Sequence, residues 1–298
     1  MAKSQRVRES ESQRVKESES PLAGRLRTQR VRVLVLRAAG TNCDMESAFA
    51  FESVGAKADI VHINRLKSGE YSLDDYHILV IPGGFTYGDD IASGKILANE
   101  IKSALSDDLK RFLSDGKLVL GICNGFQVLV KSGLLPGNDA SEIDATLNLN
   151  DSARFEDRWV YLRKPQTANR KPHKCVWMKY VKEMTYLPVA HGEGKFIPKD
   201  KEVLKKLRDN GQIVLRYVSS KGKRAGYPHN PNGSVDDIAG ICDPTGRILG
   251  MMPHPERFIQ RTQHPRWTRE NIKEEGDGLS VLRSGVNYAQ RLVEKGKI

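Results

Sequence analysis

Residues 117–135 read KLVLGICNGFQVLVKSGLL. The opening apolar run is what a strand buried on both faces looks like, and FQVLVKSGLL carries apolar residues at helical spacing. Between them, Gly121 and Gly125 flank Cys123. A strand that delivers a cysteine into a Gly-flanked turn and runs straight on into a helix is a nucleophile elbow with sulfur in place of hydroxyl. Such a turn needs strained backbone angles, which glycine neighbours tolerate, and it aims the amides of the helix N-terminus at the side chain. A thiolate placed there is stabilised. In a chain with 26 glycines a G-x-C-x-G turn also arises without catalysis, so its meaning rests on what surrounds it.

Working outward, residues 31–40 (VRVLVLRAAG), 58–63 (ADIVHI) and 77–81 (HILVI) repeat the short apolar run, and helical segments lie between them. The first helix is predicted over 43–54, with its buried face through Met45, Phe49 and Val54. Apolar strands alternating with helices predict an α/β three-layer sandwich with a central, mostly parallel sheet and the site at the carboxyl ends of its strands. Beyond Gly137 the strand-like pieces are 159–162, 187–190, 213–218 and 238–242, read as antiparallel additions to the same sheet. Residues 163–174, basic with prolines, and 222–233, rich in Gly, Pro and Asn, read as surface loops.

A second cluster is Met252-Pro253-His254-Pro255-Glu256-Arg257. The prolines hold the backbone extended, and the i, i+2 spacing sends His254 and Glu256 to the same side. Attack by a cysteine on an amide needs an imidazole to manage the proton and a carboxylate to fix its tautomer, so Cys123, His254 and Glu256 form a candidate triad. Alone, a His and a Glu in such a stretch would more often be solvated surface residues. A third piece, Pro82-Gly83-Gly84-Phe85, closes another buried strand. Glycines there let backbone N–H groups approach a tetrahedral oxyanion, with the N–H of Asn124 as the second donor.

The composition limits the alternatives. Hydrophobic residues are 39% and charged residues 29% of 298, as in a globular protein, and no apolar stretch approaches the roughly 20 residues of a membrane span. No secretory signal is apparent, which points to the cytoplasm. Cys43, Cys123, Cys175 and Cys242 make no CxxC pair, so no metal site or disulfide framework is expected. Of the net charge of +11, +4 lies in the first thirty residues, eight Lys/Arg against four Glu, a stretch that contains a polar duplication, SQRVRESE at 4–11 and SQRVKESE at 12–19. Residues 1–29 read as a disordered tail. With no aromatic-interleaved basic motif, nucleic acid is not an expected partner.

Taken in order, PGG, GICNGFQ and HPER resemble the class I glutamine amidotransferase family. RAAGTNCDMES at 37–47, PGGFTYGDDIASGKI at 82–96, NDSARFEDRWV at 150–160 and HGEGKF at 191–196 are similar to the family of glutaminase subunits of phosphoribosylformylglycinamidine synthase, a likeness running from about residue 31 to the C-terminus. The resemblance implies that Cys123 attacks the carboxamide of glutamine, forming a γ-glutamyl thioester, while His254, oriented by Glu256, protonates the departing ammonia. By the same resemblance Gly83, Gly84 and Asn124 serve the oxyanion, and Gln127 lies beside the glutamine pocket. Cys43 is expected to pack rather than react, and His191 to lie near the site but outside the triad.

No P-loop is present and no room remains for a synthetase domain, so no cofactor is expected on this chain. The resemblance implies that ATP and Mg belong to a partner, the large synthetase subunit that aminates formylglycinamide ribonucleotide in purine biosynthesis, with a small bridging subunit as a further partner. The alternatives are a cysteine hydrolase or peptidase on a similar fold, which would not need the His-Pro-Glu unit, and a non-catalytic module, which would be expected to lack a triad residue. Residues from about 260 onward read as an extension ending in an amphipathic helix suited to docking.

Overall fold

The computed structural model describes residues 30–137, 143–165 and 174–298. The repeats at 4–19, the tail to residue 29 and most of the 163–174 loop lie outside the described residues.

Chain order gives β1 (Arg32–Arg37), α1 (Asp44–Glu52), β2 (Lys57–His62), α2 (Ile63–Lys67), β3 (Ile78–Ile81), α3 (Lys95–Ala104), α4 (Ser106–Ser114), β4 (Leu118–Ile122) and α5 (Asn124–Lys131). There follow β5 (Ala145–Asn148), β6 (Glu156–Arg163), β7 (Met184–His191), β8 (Lys195–Pro198), α6 (Lys201–Asp209), β9 (Ile213–Val218), β10 (Ile238–Cys242), β11 (Ile248–Met251) and α7 (Leu279–Val293). Nine strands form one sheet in the order β2-β1-β3-β4-β11-β10-β9-β6-β7, and β5 pairs with β8 separately. β2, β1, β3, β4 and β11 run parallel, and β10, β9, β6 and β7 continue antiparallel. The fold is therefore the expected three-layer α/β arrangement with a mostly parallel centre.

Burial explains why the central strands are so apolar. Every residue of β3, β4, β10 and β11 is buried, as required where helices cover both faces of a sheet. α5 is buried at every position, so it is a core helix. It can lie this close only because Gly125 has no side chain: a Cβ there would fall 1.8 Å from the carbonyl oxygen of Ile81. Gly250 of β11 makes matching room for Phe126, whose ring would lie 2.1 Å from an added Cβ. Phe126 is fully buried, and truncating such a side chain costs about 3–5 kcal/mol.

Four local expectations differ from the structure. In α1 the buried residues are Asp44, Ser47, Ala48, Ala50 and Phe51, whereas Met45 and Phe49 are 67% and 53% exposed. Apolar residues occur all round this helix, so spacing alone could not choose its inner face. β11 lies outside the strand-like pieces of the sequence; it is short, yet it pairs with β4 and β10 at the sheet's middle. The segment 222–233 is a surface loop only in its first part, since Asn230, Pro231 and Asn232 are buried. The carboxyl-terminal helix α7 turns its apolar face inward, with Leu279, Val281, Leu282, Val286 and Ala289 buried and Gly285 against the Trp177 ring. That face is covered by the chain itself, so it is not free for docking.

Candidate active site

Cys123 is the residue between β4 and α5, and its backbone is left-handed, at φ 51°. A non-glycine residue held there stores about 1–3 kcal/mol of strain that its surroundings must offset. They do so on both sides: its N–H donates to the Met251 carbonyl at 2.8 Å, and its carbonyl accepts from the N–H groups of Phe126 and Gln127 at 3.0 and 3.2 Å. The turn is thus locked to β11 and to the first turn of α5. Asn124 is the first residue of that helix, whose amide has no partner one turn back. The thiol is buried and donates to the Ala190 carbonyl at the end of β7, at 3.5 Å.

β11 is the parallel neighbour of β4, so the chain leaving its carboxyl end passes beside Cys123. That chain is 252–257, and the His254 N–H is fixed to the Pro188 carbonyl of β7 at 2.9 Å. His254 Nδ1 and Glu256 Oε1 are 2.6 Å apart, and both residues are 1% exposed. A carboxylate oxygen only accepts, so a proton lies on Nδ1 and Nε2 is the nitrogen at which a proton is gained or lost. Burial pulls the imidazole's pKa down, but the Glu256 charge and then the Cys123 sulfur outweigh it, and the net shift is well above the ordinary histidine value.

Gly83 and Gly84 play different parts. The Gly83 carbonyl accepts from the Cys43 N–H at 3.2 Å, and the position is the spacer of the site. A Cβ on Gly83 would stand 2.8 Å from His254 Cε1, 3.0 Å from Cys43 Sγ and 3.5 Å from Cys123 Cβ. Gly84, at φ +150°, packs on the backbone of 40–42 and faces the cavity. That cavity, of about 230 Å³, is lined by Asn42, Cys43, Gly84, Phe85, Cys123, Phe155, Asp157, Ala190, His254 and Arg257.

Gln127 is absent from the lining. Its Oε1 accepts from Asn124 Nδ2 at 3.0 Å and its Nε2 donates to the Glu193 carbonyl, so both ends of the amide are used beneath the site. The Asn124 side chain is likewise turned away, accepting from Thr86 Oγ1 at 2.7 Å and donating to Asp89. Lys131 Nζ completes this layer by donating to the Ser93 carbonyl at 2.6 Å. The network ties the segment 86–94 to the nucleophile's helix.

Two residues deserve a role that spacing did not assign. Cys43 is the N-cap of α1; its thiol donates to Asn42 Oδ1 at 3.2 Å and receives the Arg257 guanidinium at 3.1 Å. Burial pushes this thiol up to about 11, against the lowering effect of His254. His191 is buried beside the triad. Asn150 donates through Nδ2 to the carbonyls of Arg154 and His191, so its Oδ1, 3.1 Å from His191 Nδ1, accepts. This puts the His191 proton on Nδ1. Burial, helped by the nearby His254, holds His191 down to about 3. It is a neutral structural imidazole at the end of β7. The HGEG stretch is its signal, because a Cβ on Gly194 would stand 2.5 Å from the ring.

The CobB/CobQ-like glutamine amidotransferase domain family matches residues 30–289. A phosphoribosylformylglycinamidine synthase subunit PurQ of Dehalococcoides mccartyi is 46% identical over 264 residues, covering 88% of this chain and 99% of the relative. The subunit of the same name from Methanococcus maripaludis is 48% identical over 271 residues, covering 86% and 98%. Among solved structures, a chain of PurLQS from Thermotoga maritima superposes with a TM-score of 0.66 at 29% identity, covering 87% of this chain and 99% of that one.

Proposed function

Because this chain belongs to the glutamine amidotransferase family and is a glutaminase subunit of phosphoribosylformylglycinamidine synthase, we propose that Cys123, His254 and Glu256 hydrolyse glutamine and that Gly84 and Asn124 hold the oxyanion. One observation carries the reading: a cysteine in a strained turn at the end of a central strand faces a buried His–Glu pair on the adjoining strand's extension.

The sulfur attacks the side-chain carbonyl carbon of glutamine, and His254 Nε2 takes the thiol proton. Negative charge gathers on the carbonyl oxygen, where the N–H groups of Gly84 and Asn124 serve it. The C–N bond then breaks as the imidazolium gives its proton to the leaving amine, so ammonia departs and a γ-glutamyl thioester remains. Water, deprotonated by the same Nε2, attacks the thioester and releases glutamate and the thiol. Glu256 stabilises the imidazolium formed in both halves. Burial of the pair strengthens each of these interactions.

Ammonia is consumed by the synthetase subunit, which carries ATP and Mg and aminates formylglycinamide ribonucleotide; a small bridging subunit is a third component. A cytoplasmic location belongs to the same proposal; among the described residues no helix is long and apolar enough to cross a membrane. The test is glutamate release from glutamine with and without the synthetase subunit and its nucleotides, wild type against Cys123→Ala. Activity that disappears in the variant is the expected result. A variant as active as wild type removes Cys123 from the mechanism.

A further inference from the structure

The two N–H groups offered to the oxyanion belong to different pieces of chain: Gly84 to the loop that follows β3, and Asn124 to the first turn of α5. A pair of donors works only if both stand about 2.7–3.1 Å from the place where the charge gathers, so one loop has to be fixed against the other. Part of the fixing comes from residues 39–40, where the Ala39 and Gly40 carbonyls accept from the N–H groups of Tyr87 and Phe85 at 2.8 and 2.9 Å. Those bonds tie the loop to the segment after β1, not to α5.

Thr86 makes the tie to α5. It is buried between Phe85 and Tyr87, and it donates from Oγ1 to Asn124 Oδ1 at 2.7 Å and from its N–H to the same oxygen at 3.4 Å. An N–H only donates, so the amide atom facing Thr86 is the oxygen. Asn124 Nδ2 then donates to Gln127 Oε1 at 3.0 Å and to Asp89 Oδ1 at 3.3 Å. Both donors and both acceptor positions of a buried amide are thereby used. Such a group cannot turn without stranding polar atoms away from water, so the anchor is stiff. Asn124 thus offers its backbone N–H to the oxyanion while its side chain holds the loop that carries the other donor, two residues before Thr86.

We propose that Thr86 is a positioning residue of the glutaminase reaction, its hydroxyl on Asn124 setting the gap between the Gly84 and Asn124 N–H groups. Thr86 does not line the cavity, so it acts through Asn124 rather than on glutamine. Its loss loosens the donor pair where the oxygen carries charge, in the tetrahedral state, and matters little to the neutral amide of bound glutamine. The effect therefore falls on kcat and spares KM. Thioester formation and its hydrolysis both pass through such a state, so both slow. The inference rests on the catalytic reading above.

The experiment measures glutamate release by the complex with the synthetase subunit and its nucleotides for wild type, Thr86→Val and Thr86→Ser. Alongside it runs the rate at which iodoacetamide alkylates Cys123, followed by mass spectrometry. Alkylation displaces iodide from a saturated carbon and develops no oxyanion, so it needs the thiolate but not the donor pair. Thr86→Val keeps the shape and loses the hydroxyl; kcat should fall about tenfold to a hundredfold, with KM and the alkylation rate within about twofold of wild type. Thr86→Ser restores the hydroxyl and should bring kcat back to within about threefold of wild type. Wild-type kcat in Thr86→Val overturns the proposal, as does a Thr86→Ser variant equally slow. So does an alkylation rate that falls as far as kcat, which would make Thr86 a support of the whole turn. If Thr86→Val does not fold, Asn124→Ala, which cuts the same bond from its other end and keeps the N–H, takes its place under the same criteria. Wild type that still releases glutamate after complete alkylation of Cys123 would overturn the catalytic reading and this inference with it, whereas wild-type kcat in Thr86→Val removes only the role of Thr86.

Discussion

The units β1–α1 and β4–α5 are built alike. Each is a parallel strand of the same sheet followed by a helix with a buried cysteine at its N-cap position, Cys43 after a loop from β1 and Cys123 directly after β4. Their local physics differs. Cys43 has a relaxed backbone, φ −100° and ψ 14°, and Cys123 is forced to φ 51° and ψ −105°. The first turn of α1 carries Asp44 and Glu46, and the first turn of α5 carries no acid. Acidic residues there stabilise a helix but use the positive end of its dipole that a thiolate would otherwise feel. A helix N-terminus under a cysteine is thus insufficient. The reactive unit adds a strained turn that lifts the sulfur clear, a first turn without acids, and a base delivered by the neighbouring strand.

Exchanging or removing parts of the two units should separate them. Cys123→Ala should lower glutamate release about a thousandfold or more, the usual cost of deleting a nucleophile, whereas Cys43→Ala should lose less than about tenfold; equal losses would break the comparison. Glu256→Gln should reduce kcat about a hundredfold or more with little change in KM, because the amide no longer fixes the tautomer or stabilises the imidazolium. Since Glu256 raises the His254 pKa, the limb of the pH–rate profile that reports His254 should move to lower pH in the same variant. Gly83→Ala pushes a methyl group between the two units, 2.8 Å from His254 Cε1. A displacement of that order should cost about tenfold to a hundredfold in kcat.

The smallest effect concerns stability. His191 is held down to about 3 from an ordinary 6.5, so the unfolded chain binds its proton first as the solution is acidified. Stability from this residue is complete above pH 6.5 and falls as pH drops toward 3, by at most about 1.4 kcal/mol per pH unit. His254, shifted the other way, contributes stability at low pH that is lost as pH rises. Urea denaturation of wild type and His191→Gln at pH 7, 6 and 5 should show a shallower acid slope in the variant.

What could be read from the sequence follows from how local each signal is. The elbow is a matter of adjacent residues, so its strand, turn and helix were visible in 117–135. The His–Glu pair was visible because two prolines and an i, i+2 spacing settle its geometry within 252–257. Contacts made by distant segments were not legible. Cys43 reaches the site because its N–H bonds the Gly83 carbonyl in the loop after β3, β3 being the neighbour of both β1 and β4, a contact no spacing states. The family resemblance puts Gln127 beside the glutamine pocket, but its amide is turned toward Asn124 and Glu193. α1 misled because a helix that is apolar on several sides has no single face to read. β11 is too short, at four residues, to show a period at all.

That late strand sets when the enzyme can exist during its own synthesis. β4 and its cysteine are translated early, but the edge of β4 has no partner until residues 248–251 arrive, and the imidazole follows them. A nascent chain therefore carries a sulfur without a base, and glutamine cannot be broken down on the ribosome. The cost is exposure: until the closing strand inserts, a long-range and hence slow event, the growing polypeptide presents an open sheet edge of the kind that recruits other chains.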